Sequence, residues 1–392
     1  MGVLLKRAAI LFAILCAAFW TSCGGGSSNN AQVSNLKDRA LFDNAVTGGV
    51  NILNIDKTPP QIYLTTVAAL SAPQTMYIAP DRSFVLIYDD LSFSLNYFAS
   101  AQETVTSSLP LNYHTDGGVL SADGKHAYFP IPQNPEANPT PPGAVLTFDL
   151  TTGTAGVQIP VAGARRVALS SDNNSLLVFA DDTDSLWYVD LSATTIKAKE
   201  ITGFNRPYMA YFGSDNKTAY VLNCGTECSG AAAPSVQPLA VSPSAQTPGT
   251  AIPVPGATVG LLNGSTLSIA GNDLTKPEGS QGVYSTVDVS GGTVSGITAI
   301  PDGLHTLMTA FNSAIFVGSK NCSTTNCLAV INSGKATIPT STGNVTAITP
   351  APKKNWVYVM QGGELLQFDP SGTYGMPYDI IGDGWDIKLL DQ

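Results

Sequence analysis

Charged and amide side chains gather at only a few places in this chain, and any chemistry it performs begins there. Arg165 and Arg166 are adjacent, Arg206 precedes Pro207-Tyr208, and His114 and His305 are two of only three histidines. The chain has just 19 Lys and Arg. Three arginines brought to one rim would form an anion-binding funnel, because a guanidinium presents a planar fork of donors. Acidic and amide groups recur at Asp43, Asp89-Asp90, Asp181-Asp182 with Asp184, Asn223, Asn272-Asp273 and Asn321. On one face, Asp89, Asp90, Asp181, Asp182, Asp184 and Asp273 would line an acidic rim for a polar ligand or for Ca²⁺, which takes oxygen ligands. Asp181, Asp182 and Asp184 are the best metal candidates, yet they lack a full calcium-loop pattern. The plainer reading has more weight at any single position: Asp and Asn suit tight turns because they bond local backbone. Beyond that calcium, no cofactor is expected.

Other chemistries are missing from the sequence. It has no Gly-x-Ser-x-Gly elbow, no His-Glu-x-x-His and no phosphate loop. It also has no Cys-x-x-Cys-His for covalent haem, and three histidines are few for a multi-histidine metal centre. The formal net charge of −10 argues against nucleic acid or anionic lipid as a partner of the surface itself.

The elements that must position these groups are short strands. In Gly117–Gly153 an apolar strand ends in Ser121-Ala122-Asp123-Gly124, a second follows, and a third ends in Phe148-Asp149-Leu150. Asp-Gly between apolar runs is a hairpin signal. Related turns follow at Asp81, Asp172, Asp215, Asn263, Asn312 and Lys353, spaced 41 to 49 residues apart. A period of about 45 is that of four-stranded propeller blades. Leu41-Phe42, Val50–Ile55 and Ile62–Val67 look like a blade lacking its first strand, which Trp385–Leu390 could supply. The reading is therefore all-β: a β-propeller of four-stranded blades, closed by N- and C-terminal strands. Seven anchored units plus this composite favour eight blades, with seven and an embellished terminus as the alternative.

Ala219-Tyr220-Val221-Leu222-Asn223 resembles the core of YVTN-type β-propeller repeats, and Val357-Tyr358-Val359 echoes it. The likeness spans nearly the whole chain after its N-terminus, in degenerate units. No repeated Gly-His…Trp-Asp pattern supports a WD40 propeller. Lactonase-like propellers belong to the group that this chain resembles. That resemblance implies a hydrolytic site in which Arg206, His305 and Arg165 would polarise a carbonyl or handle a proton. In such a ring, loops between second and third strands share a face with the loops leading into inner strands. Insertions at Pro130–Pro142, Cys224–Pro234, Gly271–Gly282 and Ser319–Cys327 fall on that face, where binding is expected.

The N-terminus supplies an address. Lys6 and Arg7 precede an apolar run from Ala8 to Trp20, too short for a comfortable span, and Thr21-Ser22 precede Cys23. This resembles a bacterial lipobox, with Trp20 where an aliphatic is usual. It implies residues 1–22 as signal peptide and a lipidated Cys23. Residues 23–38 would then form a Gly/Ser/Asn tether, with one propeller over 39–392. Cys224 with Cys228, and Cys322 with Cys327, are expected to form local disulfides in an oxidising compartment. A monomer is expected, held to a bacterial, outer, membrane by its lipid alone and facing periplasm or exterior. Its expected role is a binding or scaffold module at the cell envelope for a protein, glycan or small ligand. A lactonase-like hydrolase is the alternative.

Overall fold

The computed structural model describes residues 33–132, 143–380 and 382–391, apart from the side chains of Leu64 and Thr65. The expected signal peptide, Cys23 and most of the expected tether lie outside the described residues, as does most of the Pro130–Pro142 insertion. Eight antiparallel sheets follow one another along the chain, each running from an inner to an outer strand. Seven use consecutive strands, opening with Pro73–Ile78, Val119–Leu120, Ala164–Leu169, Pro207–Phe212, Val259–Asn263, Leu304–Phe311 and Val345–Ala351. The eighth is composite. Gly384–Leu389 lies innermost and pairs with Arg39–Asn44, which continues into Gly49–Asn54 and Gln61–Ala69. The fold is the eight-bladed propeller, closed by strands from both ends of the chain. For brevity the composite blade is numbered one.

Burial follows position in the blade. Second strands have a sheet neighbour on either edge and another blade against each face, so Phe84–Asp89 and Ser175–Ala180 are buried throughout. They accordingly read as unbroken apolar runs rather than as alternation. Fourth strands such as Thr154–Pro160 face solvent and are mostly polar or small. Eight apolar clusters fill the interfaces between successive blades. One joins Phe179 and Tyr188 of blade four to Val221 and Leu239 of blade five. Another joins Phe42 and Ile387 of blade one to Tyr358 of blade eight.

The repeated turn carries the same backbone feature in every anchored unit. Arg82, Gly124, Asn173, Asn216, Gly264, Asn312 and Asn355 all have φ between +52° and +69°. Glycine and asparagine tolerate that left-handed region best, which explains the Asp-Gly and Asp-Asn pairs. Local carboxylates complete the turns: Asp172 Oδ1 accepts the Ser170 hydroxyl (2.5 Å), and Asp215 Oδ1 accepts the amide of Lys217 (2.9 Å). These turns join first to second strands. The opposite face carries the loops into inner strands and the insertions.

Candidate functional site at the channel mouth

On that opposite face the starts of inner strands meet the ends of second strands. Two adjoining cavities of about 310 and 320 Å³ lie there, sharing Asp116, Gly117, Arg166, Tyr208 and Thr306 in their walls. Polar side chains from four blades meet along them. Asp90 Oδ1 accepts the Tyr88 hydroxyl at 2.5 Å and lies 2.5 Å from His114 Nδ1, while Gln74 Nε2 donates to its other oxygen at 3.3 Å. His114 Nε2 is 3.0 Å from Asp116 Oδ1. Arg165 then bridges Asp116 and Asp181, with both contacts at 3.0 Å. Arg166 donates to Asp181 at 3.0 Å, and its guanidinium carbon sits 3.7 Å from the centre of the Tyr208 ring. Burial, followed by the bond to Asp90, pushes the Tyr88 phenol well above its ordinary range and holds it protonated.

This line of groups is built by register. Inner strands begin at the mouth, so the residues just before or at their starts reach it: His114, Asp116, Arg165, Arg166 and Tyr208. Second strands end there, which brings Asp90 and Asp181 to the same level. Tyr77 and Tyr211 tie neighbouring inner strands together by accepting the amides of Gly118 (2.9 Å) and Gly260 (2.7 Å). Burial lifts the Tyr211 phenol to about 12. Gly118 has no substitute here, because a β-carbon would come within 2.4 Å of the Phe129 ring.

Arg165, Arg166, Asp90 and Asp181 therefore converge, and the other sequence candidates are placed differently. Asp89 is buried and accepts the amides of Ser71, Ala72, Leu91 and Ser92, so it holds a loop. Asp182 is 87% exposed and 3.7 Å from Arg206 Nη1, beside a separate cavity of about 260 Å³ bordered by the Cys224–Cys228 loop. Asp184 accepts the amide of Arg206 at 3.1 Å. Asp273 caps its own loop through Thr275 and lies 3.7 Å from Lys276. His305 is 1% exposed. Its Nε2 is 2.9 Å from Pro301 O, its Nδ1 has no partner among the described residues, and burial lowers its pKa to about 4. Its sequence position is at the mouth, but its ring is withdrawn into the wall. Among the described residues no three His, Cys, Asp or Glu groups are arranged to hold a metal. Asp181 pairs with Arg165 and Arg166, whereas Asp182 and Asp184 meet the side chain and the amide of Arg206.

Four contributors escape a reading by motif: Tyr88, Asp116, Lys320 and Trp385. Asp116 was visible as the acidic residue two places after His114 in a loop leading into an inner strand. Lys320 ends the second strand of blade seven, where the other blades end in Asn44, Asp89, Ile131, Ala180, Asn223, Asn272 and Gln361. A cation at the end of a second strand is the signal. Both expected disulfides form, Cys224–Cys228 and Cys322–Cys327, and both close loops on the mouth face. Among the described residues, no helix is long and apolar enough to cross a membrane.

No protein-family model matches the chain, and no curated protein matches it in sequence. Solved structures do match in shape. The dihydro-heme d1 dehydrogenase NirN in complex with DHE is similar over 91% of this chain and 75% of its own, at 12% identity and a TM-score of 0.68. Apo AztD from Citrobacter koseri is similar over 91% and 98%, at 11% identity and 0.60. The periplasmic gluconolactonase PpgL of Pseudomonas aeruginosa is similar over 90% and 98%, at 15% identity and 0.56. At these identities the likeness is one of fold, and the chain shares its propeller architecture with lactonase-like proteins among others.

Proposed function

We propose that the protein is an exported binding module that captures a small polar ligand at the channel mouth. The observation that supports this reading is the continuous line Gln74, Asp90, His114, Asp116, Arg165, Asp181 and Arg166 around two adjoining cavities. Ligand sites combine an aromatic or apolar wall with a few convergent polar groups, and Tyr77, Tyr208 and Trp385 supply the wall. The ion pairs order the arginines before a ligand arrives, which lowers the cost of binding. The insertion loops on the same face offer a wider surface to an envelope protein or glycan. Two local disulfides fit an oxidising compartment. Lipidation at Cys23 would tether the monomer to the outer membrane, and Cys23→Ser should release it from membrane fractions.

A thermal-shift panel of sugars, sugar acids, amino acids and lactones, followed by calorimetry of the hits, tests the binding site. Arg166→Gln and Asp90→Asn should each weaken a genuine mouth ligand about tenfold or more, roughly 1.4 kcal/mol. If every hit binds both variants as it binds the parent, the ligand site is elsewhere and the reading is wrong.

A lactonase-like hydrolase is the second reading, favoured by His114 standing between Asp90 and Asp116 with two arginines beyond it. That arrangement suits proton transfer beside a polarised carbonyl. The gluconolactonase among the similar structures makes lactones the substrates to try. Acid release in a pH-stat, abolished in His114→Asn, would replace binding with catalysis. His305 plays no part in this version, since its ring is buried.

A further inference from the structure

We infer that Lys320 and Trp385 form a subsite for the anionic group, carboxylate or phosphate, of the ligand that enters the channel mouth. This deepens the binding reading above and rests on it. Lys320 ends the second strand of blade seven, and Trp385 stands in the closing strand of blade one, so the pair meets across the mouth. The ammonium lies 4.8 Å from the centre of the indole ring. Both residues line the 320 Å³ cavity that also holds Arg166 and Tyr208.

Its place at the end of a second strand makes this lysine unusual. The other seven second strands end in Asn44, Asp89, Ile131, Ala180, Asn223, Asn272 and Gln361, none of them cationic, and the polar ones bond the structure around them. Asp89 holds loop amides, Asn223 bonds Ser235 and Gln237, Asn272 bonds Glu227 and Gly303, and Gln361 bonds Ser341 and Gly343. Lys320 has no such use for its side chain. Arg165, Arg166 and Arg206 each have a carboxylate within 4 Å, whereas among the described residues Lys320 pairs with none. Burial lowers its pKa, as removal from water without a counter-ion must. A cation held over a ring keeps its other donors free, and an anion supplied by a ligand would offset the desolvation that the protein leaves uncompensated.

Both partners are held in place. Lys320 pairs with Leu304 in the sheet, and the loop that follows it is closed by Cys322–Cys327. Beside Trp385, the Asp386 carboxylate accepts the amide of Met76 (2.7 Å) and contacts Lys388 Nζ at 2.7 and 2.8 Å. The subsite is thus preorganised, with Arg166 as a second cation in the same cavity.

Benzoate and inorganic phosphate are the probes, titrated separately into the purified protein by calorimetry, with tryptophan fluorescence recorded in parallel. The expected result is saturable binding of at least one probe with a change in emission. It should weaken at least tenfold in Lys320→Met and in Lys320→Gln, and stay within about threefold in Lys320→Arg. Preference between the probes assigns the anion as carboxylate or phosphate. Unfolding midpoints within a few degrees of the parent confirm that the variants fold, and two replacements guard against one failing. Equal affinity in Lys320→Met, Lys320→Gln and the parent would overturn the subsite, as would a parent that binds neither probe. In either case a neutral ligand that depends on Arg166 would leave the mouth standing as a binding site, so the two claims fail separately.

Discussion

His305 and Glu227 pull the stability of the protein in opposite directions as pH changes. His305 is neutral in the fold down to about pH 4, while its unfolded counterpart takes up a proton near pH 6.5. Its contribution is therefore complete above pH 6.5 and is lost as pH falls toward 4, by roughly 3 kcal/mol over that window. Glu227 is the reverse. Desolvation raises its pKa to about 7 against the opposing bonds from Ala257 and Asn272. The fold keeps a proton that the unfolded chain has already released, so this contribution is present below pH 4.5 and lost as pH rises through 7. Between pH 5 and 7 the two trends offset. Glu227→Gln should remove one of them, so that urea-derived stability falls between pH 7 and 5 by about 2 kcal/mol more than in the parent. Parallel pH profiles for the two proteins would show that Glu227 does not titrate in this window.

At the scale of strands and turns, the asparagines of the repeated turn do two jobs. Asn216 sits at φ +55°, and its Oδ1 accepts the amide of Ser171 from the preceding blade at 3.0 Å. Asn173 does the same for Ala122 at 2.8 Å. The two jobs separate by substitution. Asn216→Gly keeps the backbone conformation and loses the bridge, costing about 1 kcal/mol, while Asn216→Ala loses both and should cost about 2 kcal/mol. Equal losses in denaturant titrations would mean that the left-handed residue carries no strain. This turn chemistry is local, which is why the blade period and the ring of eight could be read from sequence. Part of the site was legible for the same reason, since Arg165, Arg166 and Asp181 sit at positions that recur in every unit. Asp89 and Asp90 show where local reading stops. Adjacent and chemically identical, one holds loop amides and the other meets Gln74, Tyr88 and His114, because Asp89 closes the strand and Asp90 lies just past it in the turn. Lys320 and Trp385 lie 65 positions apart in the sequence, and only closure of the ring brings them together.

Closure itself is the property of the whole molecule on which the mouth depends. Gly384–Leu389 covers the edge of Arg39–Asn44, burying Leu41 and Phe42 completely, and supplies Trp385 to the site. Polar contacts fix the seam. The Arg39 guanidinium donates to Asp391 at 2.7 and 2.9 Å and to Glu103 at 2.8 Å, and Glu103 is buried at 2% exposure. Asp43 lies fully buried in the same blade, where desolvation drives its pKa far above the carboxylate range, and it accepts the amide of Asp386 at 2.7 Å. Arg39→Met would leave Glu103 without its cation, at a cost of about 3 kcal/mol. Truncation before Gly384 should do far more. It would leave the full edge of Arg39–Asn44 unpaired and uncover the apolar cluster shared by blades eight and one. The truncated protein should lose its single cooperative unfolding transition and associate through the open edge, visible as concentration-dependent oligomers in light scattering. A truncated chain that stays monomeric and unfolds at the parent's midpoint would show that the seam is dispensable. The arrangement of the mouth would then need another source of rigidity than the closed ring.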